Sequence, residues 1–279
     1  VDKKVFKKYV RRMEPLPTSL TPGGELKEEI RCVLFDIYGT LFISGSGDIS
    51  VARQNSPELK KIGRLLHEYG IRKRPRNVLD EFYSAIESFH DELRKRGTEY
   101  PEVNVERLWM QVVRIDDIEQ VRQFATEFEM IVNPVFPMPN LETMLTALRR
   151  RSKLMGIISN AQFYTPCLFR RFLNADTQEL GFDRDLVFYS YRFEVAKPSP
   201  RLFEAAAERL KEKGVQPSSV LYVGNDMLND IYPAGQVGFK TALFAGDGRS
   251  LRLRRDDPRC KKLNADLVIT DLSQLLAYV

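Results

Sequence analysis

No apolar run in this chain approaches the roughly 20 residues that a membrane-spanning helix needs, so a helical anchor of that kind is not expected. The opening residues, Val1-Asp2-Lys3-Lys4-Val5-Phe6, carry no signal-peptide core. Cysteine is scarce: Cys32, Cys167 and Cys260 form an odd set without metal-ligand spacing. That pattern argues against a disulfide framework and for a reducing, cytoplasmic setting. Internal repeats and low-complexity tracts are also missing. What remains is an ordinary globular composition, 43% hydrophobic and 29% charged over 279 residues. That length suits one large domain or two smaller ones.

The formal net charge is +5. Much of the excess is local, at Lys3, Lys4, Lys7, Lys8, Arg11 and Arg12, and again between Arg249 and Arg259. Neither stretch interleaves aromatics in a recognisable module, which argues against nucleic acid. The plain reading is solvated surface; the functional one is steering of a small anionic substrate.

Residues 1–30 read as a basic leader followed by a linker containing Pro15, Pro17, Pro22, Gly23 and Gly24. The apolar run Cys32–Phe35 reads as a buried strand, and Ser44–Asp48 as a flexible loop. From residue 50 to about 133, glycine thins out and apolar residues recur at helical spacing: Leu59, Ile62, Leu65, Leu66; Leu79, Phe82, Ile86, Phe89; Val105, Leu108, Val112. Four or five helices follow from this, with Trp109 as a packing residue. Beyond Pro134, Pro137 and Pro139, strands at Leu154–Ile158, Leu186–Ser190, Val220–Val223, Lys240–Phe244 and Asp266–Ile269 alternate with helices at 141–150 and 200–213. Such alternation predicts an α/β fold with a parallel sheet covered on both faces.

Four polar signals sit at the ends of these elements. Asp36 follows the first strand, Ser159-Asn160 follow Leu154–Ile158, Lys197 precedes a helix, and Asn225-Asp226 with Asp230 follow Val220–Val223. Each has a bland alternative: a turn or cap residue for Asp36, a helix N-cap for Ser159-Asn160, a surface lysine for Lys197, and a favoured helix N-terminus for Asp226 and Asp230. Together they would converge at one carboxyl edge, where open α/β sheets bind ligands. Asp36 is then a candidate nucleophile. Asp36 and Asp226, with Asn225 and Asp230 in support, offer hard oxygens for Mg²⁺. Ser159, Asn160 and Lys197 are candidate holders of phosphoryl oxygens.

The order of these motifs resembles the haloacid dehalogenase (HAD) superfamily. Phe35-Asp36-Ile37-Tyr38-Gly39-Thr40-Leu41 is similar to its first motif, Ile157-Ile158-Ser159-Asn160 to its second, Ala196-Lys197-Pro198 to its third, and Val223-Gly224-Asn225-Asp226-Met227-Leu228-Asn229-Asp230 to its fourth. Ala265–Ile269 is similar to the last strand of such domains. The resemblance implies a Rossmann-like core over residues 31–44 and 136–279, with an inserted helical cap over 45–135 hinged near Phe42–Asp48 and Asn133–Pro139. It also implies catalytic roles for Asp36, Tyr38, Thr40, Ser159 and Lys197, with the main-chain carbonyl of Tyr38 as a further metal ligand and Thr40 orienting phosphate.

Two departures divide the expected chemistry. Phosphatases of the superfamily usually carry a second Asp two residues after the nucleophile, where this chain has Tyr38. A phenol titrates near ~10 and is a poor base at neutral pH. Tyr at this place is similar to the 2-haloacid dehalogenases, whose halide leaving group needs no proton and whose substrate carboxylate needs a cation such as Arg53. The fourth motif, with Asp226, points instead to a cation site and to a Mg²⁺-dependent phosphohydrolase acting on a small phosphate ester. That is the leading expectation, with a metal-independent dehalogenase second and a weakly active binding relative third.

Overall fold

Cys32–Phe35 alternates its side chains between two apolar layers, and all four residues are buried. Val33 and Phe35 join one core cluster, Cys32 and Leu34 another. A strand buried on both faces belongs in the middle of a covered parallel sheet, and the computed structural model places it there. The structure describes residues 8–45 and 56–279. The predicted features at Lys3, Lys4, Lys7, Ser46–Asp48 and Arg53 lie outside the described residues.

The strands are β1 (Gly23–Gly24), β2 (Cys32–Phe35), β3 (Phe42–Ser44), β4 (Val135–Pro137), β5 (Leu154–Ser159), β6 (Phe182–Tyr189), β7 (Val220–Gly224), β8 (Lys240–Phe244) and β9 (Leu267–Ile269). Seven of them form one sheet in the order β1-β9-β8-β7-β2-β5-β6, parallel throughout except for β1 at its edge. The helices are α1 (Ser56–Glu68), α2 (Pro75–Lys95), α3 (Val105–Val113), α4 (Ile118–Val132), α5 (Leu141–Arg150), α6 (Pro166–Leu173), α7 (Arg201–Glu212) and the short α8 (Tyr232–Gln236). Helices α5 and α6 cover one face through Met144, Leu148, Leu168 and Phe169. Helix α7 covers the other through Leu202, Phe203, Ala206 and Leu210. Among the described residues, no helix is long and apolar enough to cross a membrane.

Helices α1–α4 have a separate apolar core. Trp109 is its centre: its ring stacks on Phe82 at 4.0 Å and meets Phe128 at 4.6 Å and Phe124 at 5.0 Å. The chain enters and leaves this helical unit through a two-stranded antiparallel ribbon, β3 with β4. The ribbon is extended by Gly45 N–H to the Pro134 carbonyl at 2.8 Å and by the Ser44 hydroxyl to Asn133 at 2.8 Å.

The stretch expected as a free linker differs from its description. Gly23–Gly24 adds a strand to the sheet edge, and Thr18 donates to the Ala245 carbonyl at 2.7 Å. The Leu16 N–H donates to Asp247 at 2.9 Å. Further back, the Tyr9 hydroxyl donates to Glu127 on α4 at 2.8 Å. Proline and glycine signal a loss of helix, not a loss of docking, and here an extended segment satisfies its backbone groups on neighbouring loops.

Gly39 turns the chain after β2 at φ +84°. A methyl group there would lie 2.5 Å from the Ser250 side chain and 2.7 Å from the Asn225 amide. Gly39→Ala is therefore expected to destabilise the fold by at least about 1–3 kcal/mol, read as a lowered urea midpoint; an unchanged midpoint would show that the turn relaxes freely.

Candidate active site

Register brings the expected motifs together. Phe35 lies level with Ile157 of β5 and Val223 of β7. The residues that follow, Asp36, Ser159 and Asn225, therefore leave the sheet at the same edge. Asp36 and Asn225 border a cavity of about 400 Å³ between the sheet edge and the helical unit, which contributes Phe82, Ile86 and His90 from α2 and Glu129 from α4.

Lys197 is the hub of the floor. Its ammonium donates to Asp36 Oδ1 at 2.7 Å and Asp230 Oδ1 at 2.5 Å, and lies 3.1 Å from the Tyr222 hydroxyl. The Lys197 and Asp230 side chains are 3% and 2% exposed, so both charges are out of water and depend on each other. Burial alone would lower the lysine's proton affinity; Asp230 and Asp36 outweigh it and hold the group protonated. Burial pushes Asp230 up to about 7, with Lys197 opposing and Asp36 and Asp226 reinforcing. Asn160 fixes the lysine's main chain, accepting from its N–H at 2.8 Å and donating to its carbonyl at 3.3 Å. This side chain is thus spent on positioning Lys197 and not on a phosphoryl oxygen.

Thr40 is also placed differently from its expected role. It is fully buried and donates to Asn225 Oδ1 at 3.1 Å, behind the cavity wall. Asn225 in turn donates to the Ser250 carbonyl at 2.6 Å, tying the loop after β8 to the floor. Tyr38 reaches sideways, with its hydroxyl 2.9 Å from that of Thr165. Burial raises the Tyr38 phenol well above its ordinary value, which removes it further from use as a base. The Ser159 and Ser250 hydroxyls are buried with no hydrogen-bond partner among the described residues, and Ser250 lines the cavity. Buried hydroxyls in that condition are available to a ligand.

The metal set requires a correction. Asp226 Oδ1 accepts from the N–H groups of Leu228 and Asn229 at 2.9 and 3.2 Å, capping the turn that follows. Its other oxygen accepts from Asn229 Nδ2 at 3.1 Å and Arg254 Nη2 at 2.7 Å. Arg254 Nε lies 3.1 Å from both oxygens. Asp230 is consumed by Lys197 and by the Asp226 N–H at 3.0 Å. Neither carboxylate is open to a cation, and among the described residues no group of three acids, histidines or cysteines is gathered for one. The oxygens that do fit Mg²⁺ are fewer: Asp36 Oδ2 and the Tyr38 carbonyl, which accept no hydrogen bond among the described residues, and the second lone pair of Asn225 Oδ1. Mg²⁺ tolerates such a set because it keeps waters and takes substrate oxygens.

Arg252 and Arg254, in a stretch whose plain reading was solvated surface, line the cavity. The signal was their position just beyond a strand's carboxyl end. Glu129 was also missed; a lone acid inside the run Phe128-Glu129-Met130-Ile131-Val132 is the sign that marks it. Tyr222, which steadies Lys197 and Asp230, read only as a strand residue.

Sheet order, floor and cavity define a Rossmann-like α/β core with Asp36 at the edge of its sheet, bordering the cavity. The chain matches the haloacid dehalogenase-like hydrolase family over residues 30–238 and belongs to it. It is 41% identical over 83 residues to a glyceraldehyde 3-phosphate phosphatase of Pyrococcus furiosus, a match covering 29% of this chain and 31% of that protein. The chain thus matches about a third of the length of that curated relative. Its fold is similar to that of a 2-haloacid dehalogenase from Pseudomonas syringae pv. Tomato (21% identity, TM-score 0.55, covering 89% of this chain and 97% of that one). It is equally similar to that of a HAD phosphatase from Thermococcus onnurineus (20% identity, TM-score 0.53, covering 89% and 97%).

Proposed function

We propose that this hydrolase cleaves a small phosphate monoester through an aspartyl-phosphate at Asp36. The observation that carries the reading is the state of that carboxylate, which lines the cavity: one oxygen is fixed by Lys197, and the other accepts no hydrogen bond among the described residues. In the first half-reaction, Asp36 Oδ2 attacks phosphorus and the ester P–O bond breaks. In the second, water attacks the same phosphorus, and phosphate leaves as the Asp36 carboxylate is restored. Lys197 orients the nucleophile and offsets charge, while Ser159, Ser250 and Arg252 supply donors for phosphoryl oxygens.

Mg²⁺ would be held by Asp36, the Tyr38 carbonyl and Asn225, supplying positive charge that allows a carboxylate to approach a phosphate. The helical unit, residues 45–135, would act as a cap that excludes water and selects the substrate. The partial relative named as a phosphatase supports a small phosphorylated metabolite as the substrate class. Phosphate release from a panel of sugar, triose and nucleoside monophosphates tests the reading. Turnover that a chelator removes and added Mg²⁺ restores is the expected result; vigorous turnover in chelator would remove the metal from the account.

A second reading rests on one specific observation. Tyr38 replaces the usual proton-transferring Asp and is locked onto Thr165, an arrangement suited to a leaving group that departs as halide. Halide release from 2-haloacids without added metal, with no phosphate released from the ester panel, would favour it.

A further inference from the structure

A phosphohydrolase with Tyr38 in place of the usual acid lacks that acid as a proton donor to the departing alcohol. Two glutamates line the cavity, the half-buried Glu102 and the buried Glu129. Glu102 is fully employed in structure. It accepts from Ser190 Oγ at 2.6 Å, the Val103 N–H at 2.9 Å and Gln162 Nε2 at 3.2 Å, closing the loop before α3 onto the core.

Glu129 is different. It projects from α4 and is 7% exposed. Its partners are Asn133 Nδ2 at 3.1 Å and the Tyr164 hydroxyl, with no lysine or arginine among them. Neither partner brings a positive charge, so ionising this buried group is costly. Burial accordingly raises its proton affinity. Glu129 and Tyr38 line the same cavity. The helical unit therefore places a buried carboxyl group of raised proton affinity on the cavity that lacks the usual core acid.

We propose that Glu129 is the general acid and base of this enzyme, delivered from the helical unit in place of the absent core Asp. The inference rests on the phosphohydrolase reading. As the ester P–O bond breaks, the Glu129 carboxyl passes its proton to the leaving oxygen and becomes a carboxylate. That carboxylate then takes a proton from the water that attacks the aspartyl-phosphate, and the original acid is restored. Protons and oxygens balance over the cycle, and no other reactant is required.

A proton donor matters in proportion to how poor the leaving group is. Glu129→Gln keeps the size of the side chain and an oxygen for Asn133, but it has no proton to give. With glycerol phosphate, kcat/KM is expected to fall by about 10²–10⁴; with p-nitrophenyl phosphate, whose phenolate leaves unaided, the fall should stay within a few fold. An equal fall for both esters, or for neither, would overturn the proposal. Leaving-group dependence across aryl and alkyl phosphates in the wild-type enzyme gives the same answer without any variant. A shallow slope supports a donor and a steep one contradicts it. If the wild-type enzyme releases phosphate from neither ester, the phosphohydrolase reading fails as well; an active wild type with a uniform Glu129→Gln effect sinks only the role of Glu129.

Discussion

Asp36→Asn is expected to leave a folded protein with phosphatase turnover reduced by about 10⁴–10⁶, the scale on which loss of a covalent nucleophile is felt. The carboxamide is nearly the same shape, so the turn after β2 and the main-chain bond from residue 36 to the Val223 carbonyl at 2.9 Å should persist. Lys197 keeps its pair with Asp230. One ion pair is lost, but so is the repulsion that Asp36 exerts on Asp230. The two changes oppose each other, and the shift in stability should stay within about 1–2 kcal/mol. Initial rates on the best ester, with a urea melt on the same sample, check both halves. Activity within tenfold of wild type would mean that another group attacks phosphorus.

Lys197→Met is expected to have the largest effect on the fold. It leaves Asp36 and Asp230 buried with no counter-ion, a change that costs about 3–5 kcal/mol when one partner of a buried pair is removed. In the wild type the lysine's folded proton affinity is raised above its ordinary 10.5. Its stabilising contribution is therefore complete below that value and is lost only as pH rises through the higher folded one. The variant should steepen the trend that Asp230, already raised to about 7, gives the wild type as pH rises toward neutrality. With the lysine gone, Asp230 is held still further above its ordinary 3.8. It then favours the fold below that value and opposes it increasingly as pH rises. Urea midpoints at acid and neutral pH test this: the Met variant should be closest to wild type in mild acid and furthest from it at neutral pH. A constant difference would show that the ammonium is not the charge that compensates Asp230.

Most of the core was legible because its strands are short apolar runs, and a parallel sheet carries the ends of such runs to one edge. Once β2, β5 and β7 are neighbours, Asp36, Ser159 and Asn225 must meet, whatever the loops do. The roles of Asn160, Thr40 and Asp226 were not legible. Each has a side chain that can either face a ligand or hydrogen-bond nearby backbone or side-chain groups, and spacing along the chain cannot choose between the two. Asp226 illustrates the difficulty. Its place in the fourth motif suggested a cation, but its acceptor capacity is taken by the turn it caps and by Arg254. That arginine comes from a stretch without periodicity, tied to the floor by hydrogen bonds from Asn225 to the Ser250 carbonyl and between the main chains of Asn225, Met227 and Arg252. The docked leader was hidden for a similar reason. Its contacts there are hydrogen bonds between main chain and side chain, to residues more than 200 positions away in the chain, and they leave no mark on composition.

In the proposed reaction Asp36 attacks phosphorus and water later attacks the same atom. A single turnover in heavy-oxygen water, with enzyme in excess over a phosphate ester, tests it directly. Mass analysis of the released phosphate and of the peptide that contains Asp36 should find the label in phosphate and none in the Asp36 carboxylate. Label in that carboxylate, as expected if water opens a carbon ester at Asp36, would contradict the account and point to displacement at carbon.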